Sequence, residues 1–282
     1  MKLRAAVIRG PLLRDVCGVF ATLSKTCTMR FDPDGVQIHS IVNQGALQLW
    51  AETIPAHKLF SAYVCMSNAD SNAISFEINV DLLYKAFIKM GTEALESDMT
   101  LRLSKEHQTA YFSVSFDVNP WGEAAKVTQK LPLQLIRDSS RDSEPTLPNA
   151  DIYFSLPDPV ASLHRLVDRY KFLSSYVTLS ASKDGRLMLS VDDESENITG
   201  VKVSSTWENV KIMHDPEQGD NGDGQFSVRV PTKDFGTVLQ AVSLGSKVVL
   251  GIIDRQVLML LLRLGDETDG VTFTYYLSNH DE

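Results

Sequence analysis

Lys85 and Lys89 stand four residues apart, and Arg165 and Arg169 repeat that spacing in the other half of the chain. On a helix, such a pair shares one outward face a turn apart, where like charges repel slightly. A repulsive pair that recurs calls for a compensating anion, and a polyanion such as duplex DNA is the simplest that fits. Arg14, Lys25, Lys171 and Lys233 fall on the same four predicted helices, together with five acids, Asp15, Asp81, Asp158, Asp168 and Asp234. The helices thus carry +3 in a chain whose net charge is −9. Phosphate responds to the local field of such a polarised surface, whereas the net charge mainly governs solubility. A solvated charged face is the ordinary explanation for any one helix; the recurrence carries the anion reading.

Other chemistry finds no support. The sequence has no Walker loop, no G-x-S-x-G elbow and no H-E-x-x-H, so neither catalysis nor a cofactor is expected. Cys17, Cys27 and Cys65 lack paired zinc spacing and lie on apolar segments, which predicts reduced core thiols of an intracellular protein and no metal. The six histidines (His39, His57, His107, His164, His214 and His280) are scattered, and only His164 sits beside a candidate site residue. Trp50, Trp121 and Trp207 read as packing or interface residues. The acidic stretch 214–224 superficially suggests a calcium loop, but glycines occupy two ligand positions and no glutamate closes it. No apolar run nears the ~20 residues that span a bilayer, and the first residues read as a strand instead of a signal peptide. The sequon at Asn197 is then without consequence.

The elements that position the basic residues form an internal repeat. A strand at 1–7 precedes a helix over 11–25 and strands at 26–32, 35–42 and 46–54. The order returns with a strand at 73–80, a helix over 81–92 and strands at 99–105, 109–117 and 127–136. A third copy runs from 152–157 through a helix over 158–173 to strands near 176–183, 186–192 and 198–207. A fourth runs from 225–231 through a helix over 232–244 to strands near 246–253, 256–264 and 271–278. Four βαβββ copies paired into two similar domains predict an α+β scaffold rather than an enzyme built around one cleft. The expected division is an N-terminal domain over 1–136, a polar Pro- and Ser-bearing linker over 137–151 and a C-terminal domain over 152–282.

Apolar stripes place the helices on one side of the sheets: Leu13, Val16, Phe20 and Leu23 in the first, and Val160, Leu163, Val167 and Tyr170 in the third. Period-two alternation in the strands, as in 110–116, gives each sheet one apolar face beneath them. Pro132 is tolerated in a strand only at an edge or bulge, which makes 127–136 a candidate edge. Its exposed backbone invites pairing with another chain through Val127, Lys130, Leu131, Leu133 and Leu135. The strand near 199–207, with Val201, Val203 and Ser205, is the expected mate in a neighbouring subunit.

Particular words in the chain carry a resemblance: Met1–Ala5, Ser24–Arg30, Leu49–Glu52, Leu131–Leu133 and Asp184–Leu187. With the tandem βαβββ order they resemble the hydroxyurea-sensitivity (HUS) subunits of the heterotrimeric nine-one-one DNA-damage checkpoint clamp, within the PCNA-like sliding-clamp fold. The similarity runs nearly end to end and is most specific between Lys25 and Arg30. It implies a non-catalytic nuclear subunit that joins two other clamp subunits in a ring around duplex DNA, helices lining the inner face. It further implies sequence-independent DNA contact, loading by an ATP-driven clamp loader, docking of checkpoint and repair proteins, and no membrane association. Under it Lys25 is the foremost DNA-binding position. Lys85, Arg169, Lys171 and Lys233 match helix positions where the family tends to be basic, while Arg14, Lys89 and Arg165 rest on helical geometry. A homotrimeric replication clamp and a DNA-free β-rich adaptor remain as alternatives.

Overall fold

The computed structural model describes residues 1–68, 72–96, 99–118, 125–136, 144–157, 160–192, 202–213, 224–245, 247–266 and 269–280, with the backbone alone at 90–96 and 118. Two compact units emerge. Met1–Ser40, Trp50–Glu144 and Gly265–Val271 form the first, and Ile41–Leu49, Pro145–Leu264 and Thr272–Glu282 form the second.

In chain order the elements begin β1 (Lys2–Val7), α1 (Gly10–Leu23), β2 (Thr26–Phe31), β3 (Gly35–Val42), β4 (Leu47–Ala51), β5 (Ile54–Pro55), α2 (Ala56–Leu59) and β6 (Phe60–Met66). Next come β7 (Ile74–Asn79), α3 (Val80–Glu96), β8 (Met99–Glu106), β9 (Thr109–Val118) and β10 (Ala125–Ile136). The later half holds β11 (Ile152–Ser155), α4 (Val160–Tyr170), β12 (Tyr176–Ser182), β13 (Leu187–Asp192), β14 (Lys202–Trp207) and β15 (Ile212–Met213). It ends with β16 (Gln225–Pro231), α5 (Thr232–Ala241), β17 (Lys247–Ile253), β18 (Val257–Leu264) and β19 (Val271–Ser278).

The ladders repeat as the elements do. β1 lies between β6 and β8 as β11 lies between β15 and β17, and β2 lies between β3 and β7 as β12 lies between β13 and β16. β8–β9–β10 has its counterpart in β17–β18–β19. Two strands fall outside the expected repeat: β6 and the two-residue β15 each close one side of the first strand of a unit.

Each helix buries most of the stripe its spacing marks out, with Leu23 of α1 and Val160 of α4 only half-buried. Leu13, Val16, Cys17, Val19 and Phe20 of α1 are buried, as are Leu83, Ala86 and Phe87 of α3. In the second unit Leu163, Val167 and Tyr170 meet Phe235, Val238 and Leu239 in the core. A fully buried side chain of this size contributes about 1.5–3 kcal/mol, so these stripes fix which face of each helix stays outward. The helix pairs approach closely at glycines. A Cβ on Gly18 of α1 would lie 3.0 Å from Cε2 of Tyr84 on α3, and one on Gly236 of α5 would lie 2.6 Å from Cε of Lys171.

Helix ends differ from the expected ones. Ser24 caps α1 through its N–H on the carbonyl of Phe20 (3.1 Å), and its Oγ accepts the N–H of Thr26 (3.3 Å). Ser174 repeats both contacts, on Tyr170 (3.0 Å) and Tyr176 (3.2 Å). These serine turns stop the helices early, so Lys25 and Lys171 lie in the turns after them. α5 gives way to a 3₁₀ turn at Val242–Leu244, while α3 runs on to Glu96. Of the expected linker, residues 144–150 carry no helix or strand; Ala150 is 1% exposed, and Asp151 donates its N–H to Ile252 (2.8 Å) and takes the N–H of Asp254 on Oδ2 (2.7 Å).

Candidate nucleic-acid interface

In the first unit the site is built where the turn after α1 meets the start of α3. The Lys25 carbonyl accepts the N–H of Val80 (2.9 Å) and, more weakly, that of Asp81 (3.5 Å), while Asn79 Oδ1 takes the N–H of Leu82 (2.9 Å). These bonds satisfy amides that a helix start leaves without partners. They also hold the exposed Lys25 at the positive end of the α3 dipole. The second unit copies the arrangement: the Ser175 carbonyl accepts the N–H of Thr232 (2.9 Å), and the Thr232 hydroxyl donates to the Ser174 carbonyl (3.1 Å). The backbone is the same, but the residue in Lys25's place is a serine.

The eight basic candidates separate by their partners. Arg14 donates from Nε to Asp15 Oδ1 at 2.6 Å, a bond that raises the guanidinium's pKa. Lys85 is held by Asp81 at 2.7 Å, one helical turn away. Lys171 is held by Asp168 at 2.6 Å; its amine hydrogen bond keeps the Asp168 carboxyl below the usual range, with His164 Nδ1 at 3.3 Å as a lesser contributor. Lys25, Lys89, Arg165, Arg169 and Lys233 are exposed and have no ion pair among the described residues. Arg165 donates within its own helix, to the Ala161 carbonyl (3.2 Å) and the Ser162 hydroxyl (3.4 Å), and it borders a groove of about 890 Å³ between α4 and α5. Asp234, beside Lys233, is turned inward, where its carboxylate accepts from Asn43 Nδ2 at 2.9 Å.

This corrects the expected +3. Residues within α1, α3, α4 and α5 comprise six basic and six acidic side chains, because α3 includes Glu93 and Glu96 and because Lys25 and Lys171 lie past helix ends. Asp158 falls outside the described residues. The positive character of these elements therefore resides in the five cations without an ion pair among the described residues, two of them in the first unit and three in the second. The expected helix over 158–173 also hid Phe172, which is 91% exposed in the turn after α4, between Lys171 and Leu173.

The expected edge is an edge over only part of its length. Leu133–Ile136 of β10 lie between β9 or its end and β7, with Leu133 opposite Ile78 and Leu135 opposite Phe76. Val127, Lys130 and Leu131 belong to the stretch Ala125–Pro132, which pairs with β9 alone among the described residues. Lys130 also forms an ion pair with Glu106. β14 pairs with β13 alone among the described residues. Its Ser205 hydroxyl is bonded to Tyr170 Oη at 2.9 Å, so Ser205 and Val203 lie on the helix-facing side, while Lys202, Ser204 and Thr206 are exposed. Val201 falls outside the described residues.

Among the described residues no three His, Cys, Asp or Glu side chains are grouped to hold a metal, and no helix is long and apolar enough to cross a membrane.

The chain matches the family model described as "Hus1-like protein" over residues 1–281. It is 29% identical over 277 residues to "Checkpoint protein hus1" of Schizosaccharomyces pombe, covering 92% of each chain. It is 25% identical over 208 residues to "Checkpoint protein HUS1" of Homo sapiens, covering 71% of this chain and 72% of that one. Among solved structures, the proliferating cellular nuclear antigen of Entamoeba histolytica matches with a TM-score of 0.69 over 99% of both chains at 14% identity, a likeness of fold alone. A match spanning both units, on the repeated ladder just described, places the chain in the Hus1-like family with a PCNA-like sliding-clamp fold.

Proposed function

We propose that this chain is a non-catalytic subunit of a heterotrimeric ring clamp that encircles duplex DNA and serves DNA-damage checkpoint signalling and repair in the nucleus. The family match over nearly the whole chain, with curated relatives named checkpoint proteins, is the observation that carries the reading. Lys25, Lys89, Arg165, Arg169 and Lys233 take phosphates directly. Arg14, Lys85 and Lys171 contribute after giving up, or while sharing, their neighbouring carboxylates. Such contacts are independent of base sequence and weaken with salt. The free side of Ala125–Pro132 and the free side of β14 suit edge-to-edge pairing between subunits, which would satisfy backbone groups that an isolated chain leaves to water. The domains divide as 1–136 and 152–282 about the 137–151 linker. A clamp loader opens the ring, and checkpoint and repair proteins dock on it.

Charge reversal tests the DNA contact. Lys25→Glu with Arg169→Glu and Lys233→Glu should leave assembly with the two partner subunits intact while abolishing retention on circular duplex DNA. Retention equal to that of the unaltered complex would favour the DNA-free adaptor.

A further inference from the structure

The helix-free face of the first unit carries a second cationic surface. Register places Val64 of β6 opposite Arg4 of β1, and Arg4 opposite Arg102 of β8. The same row continues through Ser113 to Lys130, which is tied to Glu106. In the next row Met66 stands opposite Lys2, and Ala62, Ala6 and Thr100 align on the other side. Alternate residues Leu3, Ala5, Cys65 and Leu101 are buried, so Lys2, Arg4, Val64, Met66 and Arg102 point away from the core; Ser113 in the same row is covered, at 5% exposed. Lys2, Arg4 and Arg102 are exposed, and no carboxylate stands between them in these rows. Like charges directly opposite each other in a ladder destabilise it, so the Arg4–Arg102 pair costs folding energy that the fold itself does not need. Beside it Val64 and Met66, 39% and 58% exposed, keep apolar side chains in water on the last strand of the sheet.

We propose that the outward face of β6–β1–β8 is a docking surface for an acidic peptide segment of a partner protein, in which carboxylates sit on Lys2, Arg4 and Arg102 and an apolar side chain packs on Val64 and Met66. Charge complementarity selects the acidic chain, and the adjoining apolar pair selects a peptide over a nucleic acid, whose backbone offers nothing to bury there. Arg4 and Arg102 stand about one strand spacing apart, and each guanidinium can take one carboxylate of the segment. The surface is separate from the basic helices and does not rest on the DNA reading.

The test uses the full chain and a fluorescein-labelled peptide of alternating Glu and Leu, followed by fluorescence anisotropy. Binding should weaken about tenfold or more in Arg4→Gln/Arg102→Gln and similarly in Val64→Ser/Met66→Ser, and stay unchanged in Lys25→Glu. The Gln pair also removes like-charge repulsion, so its thermal midpoint should equal or exceed the parent's, which separates lost binding from lost folding. Equal affinity of parent and Arg4→Gln/Arg102→Gln overturns the proposal. So does a duplex DNA oligomer that displaces the peptide and itself loses affinity in that variant, since the surface would then be a nucleic-acid site.

Discussion

The carbonyl of Lys25 caps the amide of Val80, and that one bond joins a structural task to a functional one at a single residue. The cap is made by the backbone and survives any side-chain change, whereas the charge is dispensable for folding. Lys25→Ala should therefore leave the unfolding free energy within about 0.5 kcal/mol of the parent's and reduce DNA retention. Its quasi-equivalent Ser175 offers the reciprocal experiment. Ser175→Lys places a cation at the α5 start, and DNA affinity should rise, with the slope of log K against log salt steepening by about 0.9. An unchanged slope would mean that this turn does not face phosphate.

Asp168 holds Lys171 at 2.6 Å and so withholds a cation from any anionic ligand. Asp168→Asn releases it without removing the side chain's bulk. Tighter binding to duplex DNA at low salt is expected, measured by filter retention, and Asp81→Asn should act likewise through Lys85. The sign is the informative part, since a merely structural aspartate would lose stability and gain no affinity.

Much of this was legible in the chain. The stripes of α1 and α4, the alternation of β9 and the fourfold order all follow from apolar periodicity. β6 was not legible, because Ala62, Val64 and Met66 on its outward face are as apolar as Cys65 on its inward one, and period two disappears. Its Phe60, Tyr63 and Val64 were the available signal. The helix ends were overrun because Ser24 and Ser174 act through turns, not through hydrophobicity. Charge was readable by residue and misread by sum: Asp15, Asp81 and Asp168 sit one, four and three residues from the cations they hold, which the helical repeat alone exposes.

Gly236 and Lys171 make a packing prediction. A Cβ at 236 would crowd the end of the flexible Lys171 side chain, at 2.6 Å from Cε and 2.7 Å from Nζ, and would make an ordinary contact with Val167 Cγ1 at 3.5 Å. Lys171 can swing outward, so Gly236→Ala should stabilise the chain by up to about 1 kcal/mol through helix propensity, read by urea denaturation. Gly18→Val is the contrasting case, because its Cβ would lie 3.0 Å from Cε2 and 3.3 Å from Cζ of the Tyr84 ring, which is a rigid plane and not a flexible chain end.

Burial pushes the Cys17 thiol up to about 12 and raises Cys27 and Cys65 as well. The thiolate is the reactive form, so iodoacetamide at pH 8 should leave all three unmodified in the folded chain and label all three in guanidinium. Mass spectrometry of the intact protein reads the count directly.

The Tyr170–Ser205 bond ties α4 to β14, which pairs with β13 alone among the described residues. Tyr170→Phe leaves the serine hydroxyl with one partner fewer and should cost about 1 kcal/mol, with a proportionate loss of affinity for the neighbouring subunit. Assembly titrated by analytical ultracentrifugation reads both the wild-type and variant constants.

The central claim is a ring of three different subunits, and solution mass tests it most directly. Light scattering on a sizing column should give 31.3 kDa for the chain alone and a one-to-one-to-one complex when it is co-expressed with two other clamp subunits. A stable trimer of this chain by itself would contradict the account and move it to the homotrimeric replication clamp.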